Sequence, residues 1–579
     1  MIYRLGLLLI LLLLPVSVLA AANNKVGIHL AQPHLNDLQS IKELVNSSGG
    51  DWGYVTVIIQ ENDRNIKKWQ EIFDLLREKH LIPIVRLATE PEGEVWRRPK
   101  KEEAENWANF LASLNWVVKN RYLVLFNEPN HGSEWGGEVD AEDYAQVAFE
   151  FIKKLKEKNP DFFVMLAGLD ASAPQSPPVF EDEKLFLEKA LLSPLGDSSS
   201  DGRSNCLNLI ECINNDLING WSSHSYPNPG FSGSPWDQGR GTIRTYLWEL
   251  SLLKSLGVAK DLPVFITETG WSADKLSRET IAQNFRLAYE NVWLPDGRVM
   301  AVTPFVFDYQ GPPFLGFSWK LPSSIVSDQE IFFPQYFSVQ SITKVKGEPE
   351  QEEKGIIIAD FPKEIVAHSN YHLTFKIKNF GQGFWDKEAG YTLQLTDFPY
   401  DRYIISDLNK LKPFDETEVD LYFKTNGNLG KKAAKIALFK NKEKILESRP
   451  WLLEIFPLPS LKIKVNLYPK LTTEGEDFEI QIFDQKEEMV FRKKNVKIQK
   501  SFGEIKDIQN IAFGKKYRVV ILKPYYLPRQ AFITFQKKEA NQVRFEKMIP
   551  LDFNQDGKWS GSDIITFFKN PRFINLFYP

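Results

Sequence analysis

Residues 121–130 read Arg-Tyr-Leu-Val-Leu-Phe-Asn-Glu-Pro-Asn, a short apolar run that stops at polar residues. Residues 264–271, Val-Phe-Ile-Thr-Glu-Thr-Gly-Trp, repeat this arrangement further along the chain. Each run has the length of a buried strand and ends at a glutamate, Glu128 in the first and Glu268 in the second. Because the carboxyl ends of parallel barrel strands lie at one face, both glutamates are expected at that face.

Six further apolar runs between Lys25 and Gln340 alternate with amphipathic helical stretches, which is typical of repeated β/α units. Eight strands with intervening helices predict a (β/α)8 TIM barrel, an α/β fold, and no glycine-rich nucleotide loop follows the first strand to favour an open sheet. The predicted strands are 26–30, 54–59, 82–87, 122–126, 163–168, 221–225, 264–267 and 301–307.

The chain after the barrel has a different pattern. A charged segment with Pro and Gly, KGEPEQEEK at residues 346–354, is typical of a linker. Alternating apolar and polar residues then predict half-buried strands, as at 373–378 and 461–467. The predicted organisation is a signal peptide at 1–22, the barrel at 23–343, a linker at 344–354, two β-sandwich-like domains at 355–457 and 458–548, and a terminal segment at 549–579.

Composition and the first residues restrict location and partners. The chain has 579 residues and a formal net charge of −4, which does not favour nucleic acid as a partner. Arg4, the apolar run 5–14 and the small residues before position 22 are typical of an export signal, so we expect a secreted, extracellular or cell-surface protein. No other run is long enough to span a membrane. The two cysteines, Cys206 and Cys212, are predicted to close a small disulfide loop.

The two glutamate-bearing strand ends resemble those of clan A glycoside hydrolases over residues 25–340, with family 5 and family 39 equally near. In that clan an Asn-Glu-Pro motif after strand four carries the acid/base, and a glutamate ending strand seven is the nucleophile. The resemblance therefore implies that Glu128 is the acid/base and Glu268 the nucleophile of a retaining reaction. Such a reaction places its two carboxyl groups about 5 to 5.5 Å apart.

The same resemblance implies supporting residues. Asn127 matches the position that binds the sugar 2-hydroxyl. His224 and Tyr226, after strand six, match a histidine near the acid/base and a tyrosine that holds the nucleophile. Arg86, at the end of strand three, is expected either to keep the nucleophile ionised or to serve the fold.

Aromatic residues in loops that follow strands are candidates for stacking against sugar rings. Trp135, Trp271 and Trp319 are predicted to form such platforms, with packing in the core as the alternative. No cluster of His, Cys and Asp with metal-ligand spacing occurs in the barrel sequence, so no cofactor is predicted for catalysis.

The residues after the barrel contain two recognisable motifs. Residues 379–385, NFGQGFW, resemble the Asn-Thr-Gly turn of immunoglobulin-like modules on bacterial surface enzymes, and a spacer or a carbohydrate-binding face are both open as roles. Residues 552–563, DFNQDGKWSGSD, match an EF-hand-type calcium loop with Gly557 at position 6. The expected structural Ca²⁺ ligands are Asp552, Asn554, Asp556, the carbonyl of Lys558, Ser560 and Asp563.

This loop resembles one dockerin repeat, in which Asp closes the loop. A dockerin has two repeats and only one is found here, so a cohesin-type partner is doubtful and a calcium ion that stiffens the C-terminus is the firmer expectation.

The sequence thus predicts a secreted retaining glycoside hydrolase that cleaves a β-linked polysaccharide or oligosaccharide. Two alternatives stay open: a non-catalytic carbohydrate-binding surface protein, and a glycan-remodelling transglycosidase in which a sugar replaces water. The presence of both glutamates argues against the first alternative.

Overall fold

The computed structural model describes residues 23–196, 206–322, 332–398, 400–537 and 541–578. The signal-peptide prediction falls on residues 1–22, outside the described residues. The chain divides after Glu352 into two compact units, each with its own core. Within the described ranges, no helix is both long enough and apolar enough to cross a membrane.

The first unit alternates parallel strands with helices. The strands are β1 (Gly27–Leu30), β2 (Gly53–Gln60), β3 (Leu81–Ala88), β4 (Pro91–Glu92), β5 (Val95–Trp96), β6 (Arg121–Leu125), β7 (Phe162–Leu166), β8 (Trp221–His224), β9 (Val264–Glu268) and β10 (Val299–Val302). The helices are α1 (Leu38–Val45), α2 (Ile66–Glu78), α3 (Ala104–Ser113), α4 (Ala141–Lys158), α5 (Glu183–Leu192), α6 (Leu209–Asn214), α7 (Thr245–Ser255), α8 (Arg278–Ala288) and α9 (Pro334–Gln340).

Eight of these strands form two parallel sheets, in the orders β1-β2-β3-β6-β7 and β10-β9-β8. Single parallel bridges join the sheets at both edges, between Val26 and Val302 and between Asp170 and His224. This arrangement fits an α/β barrel. The β4-β5 hairpin lies outside the two sheets.

The helices pack by the apolar stripes that the sequence predicts. Trp69, Ile72, Phe73 and Leu76 are buried on one face of α2, and Asn65 caps this helix by accepting from the amide of Lys68. The eighth strand is shorter than predicted. It ends at Val302, and Pro304, which has no amide hydrogen for a ladder bond, lies inside the predicted range 301–307.

The second unit is almost entirely β-structure. Its first core is enclosed by two sheets, β11-β13-β16-β15 and β12-β19-β17-β14, with β18 paired to β17. The strands are β11 (Gly355–Ile358), β12 (Glu364–Val366), β13 (Asn370–Asn379), β14 (Tyr391–Thr396), β15 (Tyr400–Ile405), β16 (Glu416–Thr425), β17 (Gly430–Lys440), β18 (Glu443–Glu447) and β19 (Trp451–Phe456).

A second core follows, between the sheets β23-β20-β26 and β22-β21-β24-β25. Helix α10 (Gly561–Lys569) comes directly after residues 552–560, and Leu576 packs against this core. The strands are β20 (Leu461–Lys464), β21 (Gly475–Phe483), β22 (Met489–Ile498), β23 (Phe502–Ile505), β24 (Lys516–Lys523), β25 (Tyr526–Thr534) and β26 (Asn541–Arg544).

Candidate active site

Two glutamates from distant parts of the first unit face each other at the carboxyl ends of the strands. Glu268 is the last residue of β9, and Glu128 follows β6 by three residues. Oxygen atoms of their carboxylates, together with a ring nitrogen of His224, lie within 4.8 Å of one another. The strand-end positions inferred from the sequence therefore bring both side chains into one site.

The backbone after β6 has an unusual conformation at the residues that position Glu128. Phe126 has φ +72° and Glu128 has φ +30°, both in the left-handed region that residues with a Cβ seldom occupy. The amide of Glu128 donates to the carbonyl of Gly168, which follows the neighbouring strand. The side chain of Glu128 therefore extends from a tight bend in the backbone, and the hydrogen bond to Gly168 stabilises this bend.

Glu268 is held by two side-chain hydrogen bonds. Nη1 of Arg86 donates to its Oε1 at 2.5 Å, and the Tyr226 hydroxyl donates to its Oε2 at 3.0 Å. Burial alone would raise the pKa of Glu268, but the positive charges of His224 and Arg86 lower it below the usual range. Glu268 is therefore ionised and fixed in orientation.

Glu128 has a different environment. Nδ1 of His224 donates to its Oε1 at 2.7 Å, and His224 itself is almost completely buried. Burial would lower the pKa of His224, but the nearby charges of Glu268 and Glu128 raise it. His224 therefore contacts one glutamate directly, and both glutamates favour its charged form.

Asn127 is fixed from two sides. Its Oδ1 accepts from Nη1 of Arg86 at 2.5 Å, and its amide donates to the carboxylate of Glu134. Arg86, predicted to end strand three, lies within β3 two residues before its last residue, and it bonds both Asn127 and the candidate nucleophile.

Three residues of the site were not identified in the sequence. The ring of His29 is buried, with Nε2 3.6 Å from Oε1 of Glu268, and burial lowers the pKa of His29 to about 3, so this ring is neutral. Glu134 lines the cavity above the two glutamates. His131 pairs with Asp170 at 2.9 Å beside it. His29 lies within an ordinary apolar strand, and Glu134 within a Gly-Ser-Glu-Trp turn, so neither stood out from its neighbours.

The predicted tryptophan platforms are wrong. Trp135, Trp271 and Trp319 have at most 1% of their surface exposed, and each packs against core aromatic side chains. The indole nitrogens of Trp135 and Trp271 donate to Asp143 and to the carbonyl of Gly233. A loop tryptophan with such a partner inside the protein gains more by burial than by exposure.

Other aromatic residues line the cavity above the two glutamates. The cavity has a volume of about 1050 Å³ and is lined by Trp96 from the β4-β5 hairpin, by Phe231, and by Tyr309 and Phe314 from the loop after β10. Phe314 is 40% exposed. These residues line the cavity, whereas the three predicted tryptophans are not among its lining residues.

The side chains of Glu128, His224 and Glu268 are close enough together to hold a metal ion, although their sequence spacing gave no such indication. Arg86 already places a guanidinium on Oε1 of Glu268, and Nδ1 of His224 lies 3.9 Å from Oε2. The fixed positive charge of Arg86 at this carboxylate disfavours a second cation and favours a carboxylate pair over a metal centre.

The predicted calcium ligands lie in the loop before α10, except Asp563, which lies in the first turn of that helix. The amide of Gly557 donates to Oδ2 of Asp552, the amide of Lys558 to Oδ1 of Asp556, and the amide of Ser560 to Oδ2 of Asp563. Asn554 donates through its side chain to Asp556. Oδ1 of Asp552 is buried without a hydrogen-bond partner among the described residues. Cys206 and Cys212 form a disulfide, as predicted.

Comparison with known proteins gives only distant structural similarity. No family model and no curated protein matches the chain. Similar solved structures include the β-mannanase of Thermomonospora fusca, which is 11% identical and covers 51% of this chain and 82% of its own, with a TM-score of 0.31. A family 51 α-L-arabinofuranosidase of Bifidobacterium longum is 8% identical, and the match covers 70% of this chain and 97% of the arabinofuranosidase, with a TM-score of 0.36.

The major pilin subunit of Bacillus cereus is also similar, at 11% identity over 35% of this chain and 72% of the pilin, with a TM-score of 0.20. At these scores the similarity does not decide function, which depends on the residues of the site.

Proposed function

We propose that this protein is a glycoside hydrolase that cleaves a β-linked glycan by double displacement, with Glu268 as nucleophile and Glu128 as acid/base. The supporting observation is the approach of the two carboxylates, whose oxygens lie within 4.8 Å. Retaining enzymes have carboxyl groups about 5 to 5.5 Å apart, whereas inverting enzymes leave about 6.5 to 9.5 Å for a water molecule. The short separation favours retention.

In the first step an oxygen of Glu268 attacks the anomeric carbon of the bound sugar. A new carbon–oxygen bond forms, the glycosidic bond breaks, and the proton of Glu128 passes to the leaving oxygen. Arg86 and Tyr226 keep Glu268 ionised and aimed, so little reorganisation is needed during the attack.

In the second step Glu128, now a carboxylate, takes a proton from water while the water oxygen attacks the anomeric carbon. The ester to Glu268 breaks and the sugar leaves with its original anomeric configuration. The hydrogen bond from His224 stabilises the carboxylate of Glu128 between the two steps. Asn127 has a remaining amide hydrogen for the sugar 2-hydroxyl, where a hydrogen bond strengthens in the transition state.

The proposal extends to the whole chain. The eight strands are taken as a closed (β/α)8 barrel, residues 355–457 and 458–548 as two β-sandwich domains that act as spacers, and residues 1–22 as a signal for export. A secreted enzyme of this kind would meet its polysaccharide outside the cell.

We also propose a structural Ca²⁺ ion in the loop 552–563. The fit rests on Asp552, of which only 5% of the surface is exposed and whose Oδ1 lacks a hydrogen-bond partner among the described residues. Burial and the negative charges of Asp556 and Asp563 raise the pKa of Asp552, and a cation bound among these oxygens would relieve that repulsion. Asp552, Asn554, Asp556, Ser560, Asp563 and the carbonyl of Lys558 would hold it.

The loop is attached to the second β-core and does not stand apart from it. Asp552 bridges to Tyr525, and the ring of Phe573 contacts the same tyrosine. A calcium ion would therefore fix the C-terminal segment to this core, which fits a single structural site better than a cohesin-binding module.

The first experiment measures reducing-sugar release by the wild type, by Glu268→Ala and by the exposed control Glu71→Ala on β-glucans, mannans, xylans and galactans with calcium present. We expect release on at least one polymer, lost only in Glu268→Ala, and an NMR spectrum in which the first product keeps its anomeric configuration. No release on any polymer, with binding retained, would indicate the non-catalytic binding protein.

Product analysis with an added sugar acceptor separates hydrolysis from transglycosylation. A hydrolase gives mainly the free reducing sugar, whereas a transglycosidase transfers the glycosyl group from Glu268 to the acceptor. Transfer products that exceed hydrolysis at low acceptor concentration would replace the hydrolase assignment by the transferase.

A further inference from the structure

The cavity that contains the two candidate catalytic glutamates is strongly acidic. It is lined by Arg86, Lys275 and two histidines, His34 and His131, and by six carboxyl groups: Glu128, Glu134, Asp170, Glu268, Asp274 and Asp308. An excess of carboxylates in a recessed site produces a negative potential that is focused by the surrounding protein.

Several of these charges already have partners. Arg86 is committed to Glu268 and Asn127, and Asp170 is paired with His131. Glu134 forms no ion pair with any residue in the part of the chain that the structure describes. Its single side-chain partner is the amide of Asn127. The carboxyl group of Glu134 is therefore left to interact with whatever occupies the cavity.

The loop that carries Glu134 is firmly anchored. Asn130 is fully buried and donates to the carbonyls of Asp170 and Glu181, while the neighbouring Trp135 is buried and bonded to Asp143. Glu134 ends a short 3-10 helix between these two anchors. A carboxyl group on such a rigid loop can select among ligands because it does not swing away from an unfavourable one.

The electrostatic environment of Glu134 defines what it can bind. Burial and the charge of Glu128 raise the pKa of Glu134 to about 7, so at neutral pH the group is partly protonated and partly ionised. In both forms it offers oxygen acceptors to a hydroxyl or ammonium group. A carboxylate or sulfate beside it would meet the ionised form of Glu134 and the carboxylate of Glu268, and Arg86 is already engaged with Glu268.

We propose that Glu134 determines substrate specificity: it accepts a hydrogen bond from a hydroxyl or ammonium group of a sugar bound in the cavity, and it excludes sugars that carry an acidic group. The inference rests on the proposed glycosidase function, and it assigns the substrate to neutral or amino-sugar glycans and not to uronic acid or sulfated glycans. Glu134 takes no part in bond cleavage.

The test uses the neutral oligosaccharide that the wild type cleaves and the same oligosaccharide oxidised at its C6 hydroxyls to uronates. Both are assayed with the wild type, with Glu134→Gln, and with Glu138→Gln, a control on the same loop whose side chain is 64% exposed and outside the cavity. The glutamine keeps the shape of the side chain and removes its charge, so a folding defect is not expected.

We expect the wild type to prefer the neutral substrate by about tenfold or more in kcat/KM. Glu134→Gln should reduce this preference several-fold, mainly by a lower KM for the oxidised substrate. Glu138→Gln should behave as the wild type. A wild type that prefers the oxidised substrate would overturn the proposal.

A structural role for Glu134 gives a different result. If Glu134 only orients Asn127, Glu134→Gln lowers kcat/KM equally for both substrates and leaves their ratio unchanged, which also overturns the proposal.

Failure of the glycosidase function is distinguished by calorimetric binding of the same two oligosaccharides to Glu268→Gln and to the double variant Glu268→Gln/Glu134→Gln. If no substrate is turned over but the neutral oligosaccharide is bound selectively, and Glu134→Gln weakens that selectivity, the glycosidase function is refuted and the specificity role of Glu134 stands. Absence of turnover and of any selective binding would refute both.

Discussion

Gly168 lies directly against the ring of His224, so that a Cβ at position 168 would overlap the ring atom Cδ2. The carbonyl of Gly168 also accepts the amide hydrogen bond of Glu128. One glycine therefore sets the positions of the candidate acid/base and of the histidine that contacts it.

Gly168→Ala should displace His224 and lower kcat by about 100-fold, because small misplacements of reacting groups carry costs of that size. The overlap should also destabilise the fold by about 1 to 3 kcal/mol. Kinetic assays and thermal unfolding measure the two effects. Gly297→Ala is the matched control, since no described atom lies within 4 Å of a Cβ built there. Full activity in Gly168→Ala would show that His224 does not need its present position.

Glu128→Ala should lose activity according to the leaving group. On natural glycans we expect about a 10²- to 10⁴-fold loss, because the departing oxygen is no longer protonated. On aryl glycosides with an activated leaving group, which departs without a proton, the first step should be nearly unaffected. Stopped-flow measurement of the aryl burst separates the two steps. Equal losses on both substrates would contradict the acid/base assignment.

Arg86→Gln should move the acid limb of the kcat/KM profile to higher pH. Burial opposes ionisation of Glu268, and the charges of His224 and Arg86 lower the pKa of Glu268 against it. Activity is lost as pH falls through that pKa, so removing the guanidinium raises the pKa and activity fails at a less acidic pH. The pH profile of Arg86→Lys, which keeps the charge, is the control. An unmoved acid limb in Arg86→Gln would assign Arg86 to structure alone.

Calcium should raise the unfolding temperature of the intact protein. Binding stabilises by about 2.7 kcal/mol when free calcium is about 100 times Kd, and chelator should reverse this effect. Asp552→Asn should lose most of the calcium-dependent shift, whereas Asp507→Asn should keep it. Asp507 is exposed and has φ +57°, which asparagine tolerates. Terbium luminescence sensitised by Trp559, which is 48% exposed, gives an independent reading of binding. A shift of equal size in wild type and Asp552→Asn would place the ion elsewhere.

The sequence predicts the two glutamates of the candidate active site better than the residues around them. Strand length and the position of a carboxylate at a strand end are local properties, so Glu128 and Glu268 could be located without a structure. His224 and Tyr226 were named from the resemblance and Arg86 from its position at the end of a strand, and the structure places all three in contact with the two glutamates.

The residues that would contact the substrate were harder to predict. Whether a loop tryptophan points inward depends on distant partners, such as Asp143 for Trp135, and these are not visible in the local sequence. Trp96 and Phe314 line the cavity from loops whose course depends on tertiary packing. Glu134 belongs to a turn, and its isolation from basic side chains is a property of the folded site alone.

The left-handed backbone at Phe126 and Glu128 has a consequence for how this protein can change. Each such residue costs on the order of 1 to 3 kcal/mol, so the chain would gain stability by relaxing this corner. Relaxation of the backbone would turn the carboxyl group of Glu128 away from His224, its hydrogen-bond partner. Selection for thermal tolerance and selection for the proposed activity therefore oppose each other at these positions. Substitutions selected here for heat resistance alone should give proteins that are more stable and less active.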